Sequence, residues 1–147
     1  MNLKEIVGVL REIPMFRNVE EKRLKLFAMM GQTLTYRQGE RLFEKGDEGD
    51  AAYVILDGSV DVLIPTDTGE ISVAVLGSNE IFGEMAVLLD QPRTTAIAAK
   101  TDLKVLLLDR QAFFNMLSEF PDVAIELIKV IGARLEATTR DLAASRK

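Results

Sequence analysis

Between residues 33 and 108 the chain is cut into short β-prone runs by closely spaced turn signals, and this punctuation constrains the fold more than any other feature. Residues 33–36 alternate in polarity before the turn Gln38-Gly39-Glu40, and residues 41–44 end at the turn cluster Gly46-Asp47-Glu48-Gly49-Asp50. Residues 53–56 run apolar into Asp57-Gly58, residues 59–64 resume, and Thr66-Asp67-Thr68-Gly69 joins them to residues 71–76. Two further runs, 94–99 and 103–108, follow. Strands this short need partners on both sides, and tight glycine turns return the chain antiparallel. The pattern predicts a mainly β sandwich or jelly roll.

Helical periodicity brackets this block. Leu3, Ile6, Val7 and Leu10 recur at helical spacing until Pro14 interrupts them. Asn18 followed by Glu21 has the spacing of a capping box, predicting a second helix through Leu24, Leu26, Phe27 and Met30 that stops at Gly31. Asp109-Arg110-Gln111 opens another helix with Phe113, Phe114 and Leu117 on its apolar face. Pro121-Asp122 then suits the first turn of a long final helix. The whole reads as one domain over residues 1–147: helices in 1–31, a β-roll in 32–109, helices in 110–145.

The last helix carries two apolar stripes. Ala124, Ile128, Ile131, Leu135, Thr138 and Leu142 step by four and three as a heptad seam, and Val123, Leu127 and Val130 lie beside it. One stripe can cover the chain's own sheet; the other asks for a second partner. A homodimer paired through Ala124, Ile128, Ile131, Leu135 and Leu142 meets that need symmetrically. The alternative is a single wide stripe over a broad barrel mouth.

Composition narrows the chemistry. The chain has no Cys and no His, so thiolate nucleophiles, Ser-His-Asp catalysis and His-ligated metals have no residues to use. No carboxylate cluster takes their place, and neither catalytic residues, a metal nor a catalytic cofactor is expected. The net charge of −5 opposes a general nucleic-acid surface. No apolar run reaches membrane-spanning length and no signal-peptide pattern opens the chain, so a cytoplasmic protein off the membrane is expected.

Residues 82–96 hold the candidate site. Gly83 at the start of a short helical turn lets backbone N–H groups approach a ligand oxygen, and the helix dipole favours an anion there. Arg93 can clamp the same anion with its planar donors. Glu84 repels a phosphate and needs a donor instead, for which a ribose 2′-OH is suited. Anion, sugar and hydroxyl in one cradle describe a nucleotide with a single negative charge.

This stretch resembles the phosphate-binding cassette of cyclic nucleotide-binding domains, in which Phe-Gly-Glu precedes a small or apolar run and then Arg followed by Ala, Ser or Thr. Phe82, Gly83, Glu84, Ala86, Arg93 and Thr94 match that pattern. Gly39, Gly46, Gly49 and Gly58 fall where the family carries structural glycines, and Pro14-Met15-Phe16 is similar to its N-terminal turn. The resemblance implies an antiparallel jelly roll with N-terminal helices, a short cassette helix and a long C-terminal helix. It implies that Arg93 and the amides around Gly83, Glu84, Met85 and Ala86 hold a cyclic phosphate. Thr94, with Thr95 beside it, would reach a phosphate oxygen or the base, and Val62, Val73 and Leu76 would line the sugar and base pocket. Residues 134–139 resemble the long helix of catabolite activator-type members, whose adjacent hydroxyls contact adenine for their own and the partner's ligand; Thr138 and Thr139 occupy those positions. Those activators continue into a helix-turn-helix, which does not fit before Lys147.

A hydroxyl directly after the cassette arginine is similar to cyclic GMP-dependent kinases, yet bacterial activators with Ser or Thr there take cyclic AMP. Thr138 and Thr139 tilt the expectation to cyclic AMP first, cyclic GMP second. The expected function is a non-enzymatic receptor that signals through its C-terminal helix, as a dimer or to a protein effector. The alternatives are a nucleotide-independent scaffold, opposed by the intact set of Glu84, Arg93 and Thr94, and a jelly-roll enzyme, opposed by the missing His and Cys.

Overall fold

In the computed structural model, which describes residues 1–145, strand β3 (Ala51–Asp57) is the wall between two cores. Arg146 and Lys147, the last two residues of the expected domain, lie outside the described residues. Successive strand side chains point to opposite faces, so Ala52, Val54 and Leu56 enter a core shared with the helices. Ala51, Tyr53 and Ile55 enter the interior between the sheets. Strand β8 (Leu103–Asp109) does the same, with Leu106 and Leu108 on the helix side and Leu103 and Val105 inside. Burial on both faces explains why both runs lack polar alternation.

Two antiparallel four-stranded sheets face each other. The first runs β1 (Gln32–Tyr36), β8, β3, β6 (Ile81–Phe82). The second runs β2 (Arg41–Phe43), β7 (Ala96–Ala99), β4 (Val60–Thr66), β5 (Gly69–Leu76). The expected strands all form, and β6 is an addition: two residues are too few to show any period.

Helix α1 (Leu3–Glu12) buries Ile6, Val7 and Leu10 and is capped by Asn2, whose side chain accepts from the Glu5 amide at 2.8 Å. A 3-10 turn, Pro14–Phe16, leads to α2 (Glu21–Met30). The capping box does not form: Glu20 is the N-cap, without a side-chain bond, and the Val19 amide instead donates to the Phe16 carbonyl as the preceding turn continues. Leu24, Phe27 and Ala28 face inward, whereas Leu26 and Met30 are exposed. Gly31 ends α2 in an extended conformation, and its lack of a side chain leaves room for Leu106, whose side chain a Cβ there would meet at 2.7 Å. Phe16 and Phe27, 4.9 Å between centroids, anchor this layer; burying each is worth about 1.5–3 kcal/mol.

Helix α4 (Arg110–Glu119) starts at Asp109, which accepts from the Ala112 amide at 2.8 Å. Its buried face is Ala112, Phe113 and Met116; Phe114 turns outward, contrary to expectation. Helix α5 (Pro121–Ser145) buries Val123 and Leu127, with Val130 and Ile131 packed on the edge of the same core. Ile128 and Leu135 are 68% and 66% exposed, and Leu142 is exposed as well. The two stripes therefore separate, except that Ile131, expected in the seam, belongs partly to the chain's own core. Among the described residues no helix is long and apolar enough to cross a membrane.

Candidate functional site

The connection from β6 to β7 carries the chain from one sheet to the other, and the candidate site is built along it. Gly83 has φ 79°, and a Cβ there would lie 2.8 Å from Arg93 Nη1 and 3.3 Å from the Ala51 carbonyl, so conformation and space both require glycine. Helix α3 (Glu84–Leu88) begins at once, sending Val87 into the helix-side core. A Cβ on Gly49 would collide with Ala86 and come within 2.7 Å of the Gln91 carbonyl. The turn cluster is thus packed under the cassette. Arg93 closes that contact: its carbonyl accepts from the Gly46 amide and its amide donates to the Asp47 carbonyl, both at 2.8 Å.

A cleft of about 190 Å³ opens above this connection. Phe82, Gly83, Glu84, Met85, Ala86, Arg93, Thr94 and Thr95 line it, and Val62 and Leu76 form the facing wall. Val73 lies outside. The pairing of β4 with β5 shifts register between Val62, opposite Ala74, and Leu63, opposite Ser72, so Val73 has no partner and its side chain is half exposed. Leu76, which lines the cleft, is three residues further along β5, so strand alternation already turns Val73 to the opposite face.

Thr138 and Thr139 also stand away from the cleft. Each donates its hydroxyl to a carbonyl one turn back on its own helix, Arg134 and Leu135 respectively, at 2.9 Å. Arg134 is the α5 residue that lines the cleft. Thr138 lies four residues further, about 6 Å along the axis.

Arg93 is only 4% exposed. Its Nη1 donates to the Gly83 carbonyl at 2.7 Å and its Nη2 to the Ala51 carbonyl at 2.6 Å. Two of five N–H donors are used in this way, and Nε has no partner. Among the described residues no carboxylate lies within 4.0 Å of the guanidinium. Burial lowers its pKa, with nearby Tyr53, Asp50 and Glu84 opposing, but an arginine stays charged. The geometry differs from a free fork: the guanidinium is tethered to backbone and keeps three donors in reserve.

Glu84, 3% exposed, is held by a residue that sequence reasoning missed. Arg134 Nη1 donates to Glu84 Oε1 at 3.0 Å, and Nη2 donates to the Ile81 carbonyl at 2.7 Å. Desolvation raises the Glu84 pKa, partly offset by backbone hydrogen bonding and by the charges of Arg134 and Arg93. The signal for Arg134 was present: Val123, Leu127 and Val130 step by four and three, and the next position in that stripe is 134. Gln91, inside the 82–96 stretch, also lines the cleft, and Phe43 and Ile97 join it unannounced, reaching it only through the fold.

A family model described as cyclic nucleotide-binding domain matches residues 33–120. The CRP-like cAMP-activated global transcriptional regulator of Mycobacterium tuberculosis is 26% identical over 136 residues, covering 92% of this chain and 61% of its own length. The crystal structure of Thermus thermophilus catabolite activator protein is 30% identical with TM-score 0.79, covering 88% of this chain and 61% of that one. A regulatory subunit of a cAMP-independent protein kinase A from Trypanosoma brucei is 26% identical with TM-score 0.74, covering 86% and 47%. The chain spans 61% of the length of the bacterial regulator it matches.

Proposed function

The chain belongs to the cyclic nucleotide-binding domain family, and from that premise we propose that it is a non-enzymatic cytoplasmic receptor for a cyclic nucleotide, cyclic AMP first and cyclic GMP second. The observation that carries this reading is Arg93: a buried guanidinium beside a cleft, with no carboxylate partner among the described residues and donors to spare. A desolvated, unpaired charge is costly, and a monoanionic ligand in the cleft would supply the missing counter-charge. Glu84 would accept from the ribose 2′-OH through Oε2, since Oε1 already takes Arg134. The regulators named above support cyclic AMP as the first ligand to try.

Output would pass through α5. Arg134 ties that helix to Glu84 and Ile81, so ribose and helix would share one carboxylate. Movement of α5 on ligand binding would then be felt at its exposed seam of Ile128, Leu135 and Leu142, where a second copy or a protein effector would read it. Thr138 and Thr139 would reach a purine only if α5 moves or if a partner's helix supplies them.

A second reading, a module that works without nucleotide, is favoured by one observation. Arg93 and Glu84 each already hold protein partners, and one similar structure is the regulatory subunit of a cAMP-independent protein kinase A. Calorimetric titration separates the two. Cyclic AMP should bind the parent, with cyclic GMP weaker, and Arg93→Ala should lose about 2–5 kcal/mol. Absence of binding by either nucleotide at millimolar concentration would reject the receptor reading.

A further inference from the structure

We propose that Phe43 is a positioning residue for the anion-binding arginine, acting on the ligand through Arg93; the proposal rests on the receptor reading above. Phe43 ends β2, paired with Ile97 of β7, and its side chain lines the cleft. The Arg93 guanidinium carbon lies 4.1 Å from the centre of its ring. The ring is itself held by aromatic neighbours: Tyr53 at 6.0 Å and Phe82 at 6.3 Å, which stack on each other at 4.9 Å with 4° between planes.

A buried guanidinium needs stabilisation from somewhere. Two backbone carbonyls give part of it. A carboxylate would give more, but it would also neutralise the charge that an anionic ligand requires. An aromatic face attracts the cation through its quadrupole and leaves the net charge intact. An aliphatic side chain at 43 would fill similar space without that attraction. Phe43 therefore stabilises the buried Arg93 cation in place without a competing carboxylate, which is the state an anion site needs before its ligand arrives.

Two measurements test this. In the free protein, the Nε–H resonance of Arg93 should carry an upfield ring-current displacement that persists in Phe43→Tyr and shrinks in Phe43→Leu to the smaller part left by Tyr53, whose ring lies 6.0 Å from the guanidinium carbon. In cyclic AMP titrations, Phe43→Leu should weaken binding about threefold to thirtyfold, the span of such contacts. Phe43→Tyr should restore it. Stepwise fluorination of the ring at position 43 keeps its shape and drains its quadrupole, so affinity should fall in steps while the protein stays folded. Equal affinity across the fluorinated series, or no ring-current displacement in the parent, overturns the proposal. Failure of the parent to bind any cyclic nucleotide removes the receptor reading instead, and the resonance alone then decides whether Phe43 fixes Arg93.

Discussion

Replacing Arg134 by Met keeps most of the aliphatic stem of that side chain and removes the cation that meets Glu84. The Glu84 side chain is 4% exposed and the Arg134 side chain 35% exposed, with 3.0 Å between Nη1 and Oε1. Breaking a fully buried pair costs about 3–5 kcal/mol, whereas exposed pairs contribute about 0.2–1. With one end buried and the other screened by solvent, the loss should be about 1–3 kcal/mol. For a chain of this size that lowers Tm by roughly 3–10 °C. The loss must also depend on pH. Burial already raises the folded pKa of Glu84 above its unfolded value. Between those values the folded state holds more protons, so this group's contribution to stability declines as pH rises through that window. Removing Arg134 raises the folded pKa further. The deficit of Arg134→Met should therefore be widest at neutral pH and narrow as pH falls below the folded pKa of Glu84. Thermal denaturation followed by circular dichroism, parent against variant from about pH 5 to 8, reads both effects. Adding Glu84→Gln should recover most of the loss at neutral pH. A Tm within about 1 °C of the parent at neutral pH, or a deficit independent of pH, would refute the reasoning.

Three other outcomes are expected. 2′-Deoxy cyclic AMP should bind at least ~1 kcal/mol more weakly than cyclic AMP. Cyclic AMP affinity should itself fall as pH drops through the raised pKa of Glu84, with Glu84→Gln narrowing both differences; equal ribo and deoxy affinities would take Glu84 out of the ligand site. Leu135→Glu should convert a dimer to a monomer in sedimentation at tens of micromolar, since the side chain is exposed and the change spares the chain's own core. Ile131→Glu tests this less cleanly, because Ile131 packs on that core. Parent protein sedimenting as a monomer with and without nucleotide would end the dimer reading.

Much of the architecture was legible because its causes are local. Turn residues, β-prone runs and helical stripes determine where strands and helices start, and the jelly roll follows from pairing so many short strands. Gly83 and its neighbours could be placed for the same reason: a left-handed residue opening a short helix is written in adjacent positions. The misreadings were also local. Asn18 and Glu21 have capping-box spacing, but the chain keeps turning after Phe16 and the helix begins later. Phe114 turns outward and Met116 is buried instead, because neighbouring apolar residues leave the rotation of α4 undecided.

By itself the sequence pointed to the residues of the cassette: Gly83, which opens the short helix, Glu84 beside it and Arg93 lie within ten positions of one another. Only the tertiary structure decided how they are held. Arg134 reaches Glu84 across 50 positions, Ala51 receives Arg93 across 42, and Phe43 comes beneath the guanidinium from the opposite sheet. Thr138 and Thr139, about one turn of α5 beyond Arg134, give their hydroxyls to their own helix and stay out of the cleft. Such contacts arise where elements with their own local periods are packed together. Register and crossing are set by the whole core, which no window of sequence contains.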